Sequence, residues 1–127
     1  MQLCNWDENE PTHYKNALEE IKSIIYSESF NRWSPITLIL AKNYLEDDGI
    51  RDVCEFIQSH EILKKNLKVI DISKNCLTPK SLKYIKTLLN YCSLEHLNLS
   101  INYLTVEDVS KRMGDAYYSG IVKISVI

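Results

Sequence analysis

The chain of 127 residues has little of what breaks regular structure: three glycines and three prolines. That scarcity excludes a collagen-like chain and a long flexible linker. Arginine is as rare, at positions 32, 51 and 112 alone, and no aromatic platform is interleaved with the lysines. Base-specific reading of nucleic acid is therefore not expected. No apolar run approaches the roughly 18–20 residues that cross a bilayer, so no membrane association is expected. The opening "MQLCNWDENE" is acidic and lacks a basic region followed by an apolar core, so it does not read as a secretory signal. The four cysteines, at 4, 54, 76 and 92, have neither metal-like nor redox-like spacing. Free, mostly buried thiols in a reducing compartment are expected, hence a cytoplasmic protein without metal or cofactor.

What is present is a rhythm. In "LEHLNLSINYL" (94–104), leucines fall at template positions 1, 4, 6 and 11, with Asn102 at position 9. Neither the helical nor the strand period produces that spacing. The template fits again in "LKVIDISKNCL" through Leu67, Ile70, Ile72, Asn75 and Leu77. In "PITLILAKNYL" it fits through Leu38, Leu40, Asn43 and Leu45, with Pro35 at position 1. Leu67 to Leu94 is a step of 27 residues, and a further 27 reaches Ile121, with Ile124 and Val126 at positions 4 and 6. The step from Pro35 to Leu67 is 32, an expansion of five.

The intervening segments read as helices. "TPKSLKYIKTLLNYC" puts Leu82, Ile85, Leu88 and Leu89 on one face, with Thr78 as N-cap and Pro79 at the first helical position. "EDDGIRDVCEFIQSHEIL" does so with Ile50, Val53, Phe56 and Ile57, and "TVEDVSKRMGDAYY" with Val109, Met113 and Ala116. In the last of these, Thr105 and Asp108 form a capping-box pattern. A helix over about 12–27 precedes them, with Tyr14, Leu18, Ile21 and Ile25 in phase.

On these residues the chain resembles the leucine-rich repeat family, and the 27-residue step with a full helix is similar to its ribonuclease-inhibitor-like subclass. The resemblance implies an α/β fold: a short right-handed solenoid with parallel strands on a concave face and helices on the convex face. Residues 1–34 would form an N-terminal helical cap, and 35–127 three repeats plus a terminal strand. Positions 1, 4, 6 and 11 would enter the core. Asn43, Asn75 and Asn102 would turn inward to bond backbone groups that the turn leaves open. Such scaffolds typically bind proteins, so a non-enzymatic binder, inhibitor or fixed subunit of a larger assembly is expected.

Function must then rest on residues the scaffold does not use. Position 5 carries Ile39, Asp71, Asn98 and Ser125, and position 3 carries Thr37, Val69, His96 and Lys123. Position 8 carries Lys42, Lys74 and Ile101, and position 10 carries Tyr44, Cys76 and Tyr103. Ile39, Tyr44, Asp71, His96, Asn98 and Tyr103 are the candidate protein-binding residues, tyrosine being favoured at interfaces. Asp71, His96 and Ser73 or Ser100 superficially resemble a catalytic triad, but an open sheet supplies neither oxyanion hole nor dry pocket. No catalytic residue and no small-molecule substrate are expected.

Charge is unevenly placed. Residues 1–63 hold twelve acids and five bases, net −7, and residues 64–127 hold five acids and ten bases, net +5. Lys64, Lys65, Lys68, Lys74, Lys80, Lys83 and Lys86 are candidate phosphate contacts, the alternative being RNA binding within a ribonucleoprotein. The terminal "IVKISVI" reads as a strand with an uncovered aliphatic edge. A protein partner is expected on the concave face, its rim or this strand, with a chain of marginal stability when alone.

Overall fold

A computed structural model describes residues 2–4 and 13–127. Strand β1 (Gln2–Cys4), helix α1 (His13–Ile25), β2 (Ile36–Ile39), α2 (Glu46–Gln58), α3 (Glu61–Asn66) and β3 (Leu67–Asp71) come first. A 3-10 turn (Pro79–Ser81) then opens α4 (Leu82–Tyr91), followed by β4 (His96–Asn98), α5 (Val106–Met113), α6 (Asp115–Tyr118) and β5 (Lys123–Ser125). The strands form one parallel sheet in chain order, β1-β2-β3-β4-β5. Helices α1, α2, α4 and α5 pack side by side in the same order. This is a mixed α/β architecture in which each parallel strand is reached through helical connections.

The apolar template explains the core. Leu38, Ile70 and Leu97 are fully buried and directly paired across the sheet. Leu40, Ile72 and Leu99 form a second buried row, and Leu45, Leu77 and Leu104 are buried after the turns. From the helices come Ile50, Val53, Ile57, Leu82, Ile85, Leu88, Val109 and Met113. A fully buried Leu or Ile contributes about 1.5–3 kcal/mol relative to exposure, so these rows dominate cohesion. Tyr14, Leu18, Ile21 and Ile25 bury one face of α1 against the end of the stack. Gly49 lies where α2 meets α1: an added Cβ would stand 3.0 Å from Leu45 Cβ and 3.4 Å from the Tyr14 ring.

The helix starts follow their capping signals. Thr78 Oγ1 accepts from the Lys80 N–H ahead of Pro79. Thr105 and Asp108 make the reciprocal capping box. The Asp47 carboxylate in the first turn of α2 accepts from the Thr78 N–H and from the hydroxyls of Thr78 and Ser81. It thereby ties one strand–helix unit to the next. Burial pushes this carboxyl up, but the hydrogen bonds from Ser81 and Thr78 outweigh that and hold it below its usual range.

Several expectations are corrected. Position 1 of the first repeat is filled by Ile36, fully buried opposite Leu67, while Pro35 is exposed. A register irregularity between Ile36 and Thr37 allows this, restoring the 32-residue offset from Thr37↔Val69 onward. Ile121 is 81% exposed and does not occupy a core position, whereas Val122 packs partly against the core. The single helix expected over 46–63 is two, with the chain turning at Ser59 and His60; α3 absorbs the five-residue expansion. The third helix breaks at Gly114, whose φ of +55° lets the chain turn into α6. β1, paired parallel with β2 through Leu3↔Leu38, was not legible in the sequence. The proposed start of the first helix at residue 12 lies outside the described residues.

Candidate functional site

The asparagines at position 9 form a ladder. Asn75 Oδ1 accepts from the backbone N–H groups of Asn43 (2.8 Å) and Leu45 (3.2 Å) in the preceding unit. Its Nδ2 donates to the carbonyls of Leu40, Ile72 and Ser73. Asn102 repeats the pattern one unit on, accepting from Asn75 N–H (2.9 Å) and Leu77 N–H (3.0 Å). A primary amide, with two donor hydrogens and two acceptor lone pairs, matches this environment. Asn43 and Asn75 are completely buried. These residues are structural.

On either side of the ladder the backbone is left-handed. Lys42, Lys74 and Ile101, at position 8, have φ of +59°, +56° and +56°, and Tyr44 and Cys76, at position 10, have +51° and +58°. Such conformations are uncommon outside glycine and cost most for a β-branched side chain. Ile101 combines this backbone with 63% exposure. Tyr103, two residues on, is 71% exposed, and Tyr44 is 46% exposed. Lys42 N–H donates to Ser73 O and Lys74 N–H to Ser100 O, so neighbouring turns are cross-linked and these side chains project from a fixed frame.

The cross-strand rows are as the spacing predicts. Thr37, Val69, His96 and Lys123 are successive register partners, as are Ile39, Asp71, Asn98 and Ser125. All but Lys123 are half-buried, on the sheet face opposite Leu38, Ile70 and Leu97. Three of the proposed contact residues are already engaged, two of them in turns. Asp71 Oδ1 accepts from the N–H (3.0 Å) and hydroxyl (2.7 Å) of Ser73. Asn98 Oδ1 accepts equivalently from Ser100 at 3.0 and 2.6 Å. These Asx turns close the strands; the repeated D-I-S and N-L-S were the signal for them. His96 Nε2 lies 3.1 Å from Ser125 Oγ on β5, so the serine beside it is neither Ser73 nor Ser100.

The candidate lysines lie on several elements. Lys64 Nζ pairs with Glu61 at 2.6 Å and lies 5.9 Å from the Tyr91 ring centre. Lys65 is on the same short helix α3, and Lys68 reaches Ser93 O from the start of β3. Lys74 lies beyond the opposite end of β3. Lys80 and Lys83 line an open cleft of about 450 Å³ with Asp47, Asp48, Tyr84 and Arg112. Lys86 is exposed farther along α4. The cleft mixes both charge signs.

Cys54, Cys76 and Cys92 are free thiols, and the side chain of Cys4 lies outside the described residues. Burial, then the neighbouring Cys92, pushes Cys54 to about 12, and burial pushes Cys92 to about 11. Thiols so raised are poor nucleophiles. Among the described residues no helix is long and apolar enough to cross a membrane, and no cluster of His, Cys, Asp or Glu could hold a metal ion. No family model, curated protein or solved structure matches the chain.

Proposed function

We propose that the chain is a small leucine-rich-repeat solenoid that acts as a non-enzymatic protein-binding module, gripping its partner where strands β2 to β4 end. The 27-residue register between β3, β4 and β5 and the asparagine ladder support the repeat reading. The observation that carries the functional reading is Ile101. A β-branched residue in left-handed backbone costs on the order of 1–3 kcal/mol, and such strain concentrates at functional positions. Here it presents an exposed aliphatic side chain two residues from Tyr103, on the same rim as Tyr44. Aromatic anchors on a rigid frame lose little entropy on binding. Ile39 and His96 extend the surface along the sheet, whereas Asp71 and Asn98 shape it through their turns.

The test is recovery of the protein from native lysate with and without nuclease, beside the double variant Tyr44→Ala/Tyr103→Ala. Partner protein retained after nuclease and lost with the variant is the expected result. Co-recovery that disappears with nuclease and survives the variant would replace this reading with RNA phosphate contact. The carboxylates of Asp47 and Asp48 beside Lys80 and Lys83, and the pairing of Lys64 with Glu61, argue against that second reading.

A further inference from the structure

A second concavity lies at the opposite end of the strands, where β2 and β3 begin. It encloses about 300 Å³ between the loop after α1, which supplies Tyr26, Arg32 and Trp33, and helix α3, which supplies Ile62 and Lys65. Trp33 is 88% exposed, and its backbone is held. Asn31 Oδ1 accepts from the Trp33 N–H at 2.9 Å, and Phe30 anchors the loop in the core. Tyr26 is fixed too: its hydroxyl meets His60 Nδ1 at 2.8 Å, with the rings edge-on at 5.5 Å, and His60 packs on Phe56 at 4.5 Å. The far wall is α3, the very insertion that makes the first repeat five residues longer. That expansion is unused by the ladder and by the rim of Tyr44 and Tyr103.

The charges select the ligand. Arg32 and Lys65 make no ion pair among the described residues, while Glu61, the one acid at the edge, is held by Lys64 at 2.6 Å. Exposed Trp, a fixed Tyr and a free Arg around one small apolar hollow are the residue types that dominate binding energy at interfaces. The volume sits at the bottom of the range for ligand pockets and suits one large side chain. Arg32 and Lys65 can meet the one or two carboxylates that flank a side chain seated in the hollow.

We infer that this hollow is a second docking site, taking an aromatic side chain flanked by carboxylates from a partner protein. The inference rests on the protein-binding reading above but uses different residues, so the two fail separately. The probe is an acetylated, amidated nonapeptide of Gly and Ser with one central Phe and a Glu on either side of it, titrated into the isotope-labelled full chain by NMR. Saturable shifts of the Trp33 indole and of amides in 61–66 are expected. Replacing the central Phe by Ala, or the acids by Lys, should weaken binding by at least about tenfold. Trp33→Ala and Arg32→Gln/Lys65→Gln, all at exposed positions, should do the same without altering the melting temperature. Tyr44→Ala/Tyr103→Ala should leave the titration unchanged. Absence of saturable shifts up to millimolar peptide, equal binding of the Lys peptide, or displacement by a thymidine oligonucleotide would overturn the assignment.

Discussion

Asn75 accepts the backbone N–H of Asn43 at 2.8 Å and sends its own backbone N–H to Asn102 at 2.9 Å. One residue, through its side chain and its backbone N–H, thus joins three turns that are 59 residues apart from first to last. Asn75→Ala would take their partner from the N–H groups of Asn43 and Leu45 and from the Leu40 carbonyl, while Ile72 O keeps Asn102 and Ser73 O keeps the Lys42 N–H. The expected loss is about 1–3 kcal/mol, since unmatched buried polar groups bear the desolvation cost. Asn90→Ala, exposed on α4, should move the urea midpoint little. Equal shifts for the two variants would contradict the ladder.

Ile101 gives the opposite sign. Glycine adopts φ near +56° without the clash that Ile suffers, so Ile101→Gly should leave the fold as stable or raise stability by up to about 1 kcal/mol. Partner binding should weaken in the same variant. A clear drop in melting temperature would mean that Ile101 serves packing.

The 27-residue strand register and the ladder were legible because they are written locally. Apolar spacing sets which side chains turn inward, and only a side-chain amide matches the donors and acceptors of that turn. The exchange of Pro35 for Ile36 at the first core position was not legible, because it depends on a bulge between two strands 31 residues apart. β1 was hidden for a related reason: three residues carry too little pattern, and their pairing with β2 makes the strand. At the site, the cross-strand rows follow from the register, whereas the spacing alone does not show that Asp71 and Asn98 close turns. Their serines two residues on marked them as turn residues. The hollow at Trp33 joins segments about 30 residues apart and had no local signature.

Tyr14 links the fold to alkaline pH. Burial first, then its hydrogen bond to Asp52 at 2.8 Å, raises its pKa from 10.0 to about 12. The folded state favours the neutral phenol, so this contribution to stability is complete below pH 10 and is lost as pH rises towards 12. Tyr14→Phe should flatten the fall in stability over that window, and one phenol in the parent should ionise late by ultraviolet titration. A parent whose tyrosines all ionise together near pH 10 would contradict it.

Thiol reactivity should divide by environment. At pH 8, alkylation followed by peptide mass spectrometry should find Cys76 modified at least about tenfold faster than Cys54 and Cys92, whose burial suppresses the thiolate. In urea the difference should vanish. Fast labelling of Cys54 in the folded chain would show that the packing between α2 and α4 opens readily.

The most direct measurement of the binding proposal places a photo-crosslinking amino acid at Tyr103 in one preparation and at Lys86, on α4, in another. Irradiation in native lysate should give a discrete adduct from position 103 that resists nuclease and is destroyed by protease, with none from position 86. No adduct at 103, equal adducts at both positions, or a nuclease-sensitive adduct would contradict a protein partner at the rim of Tyr44, Ile101 and Tyr103.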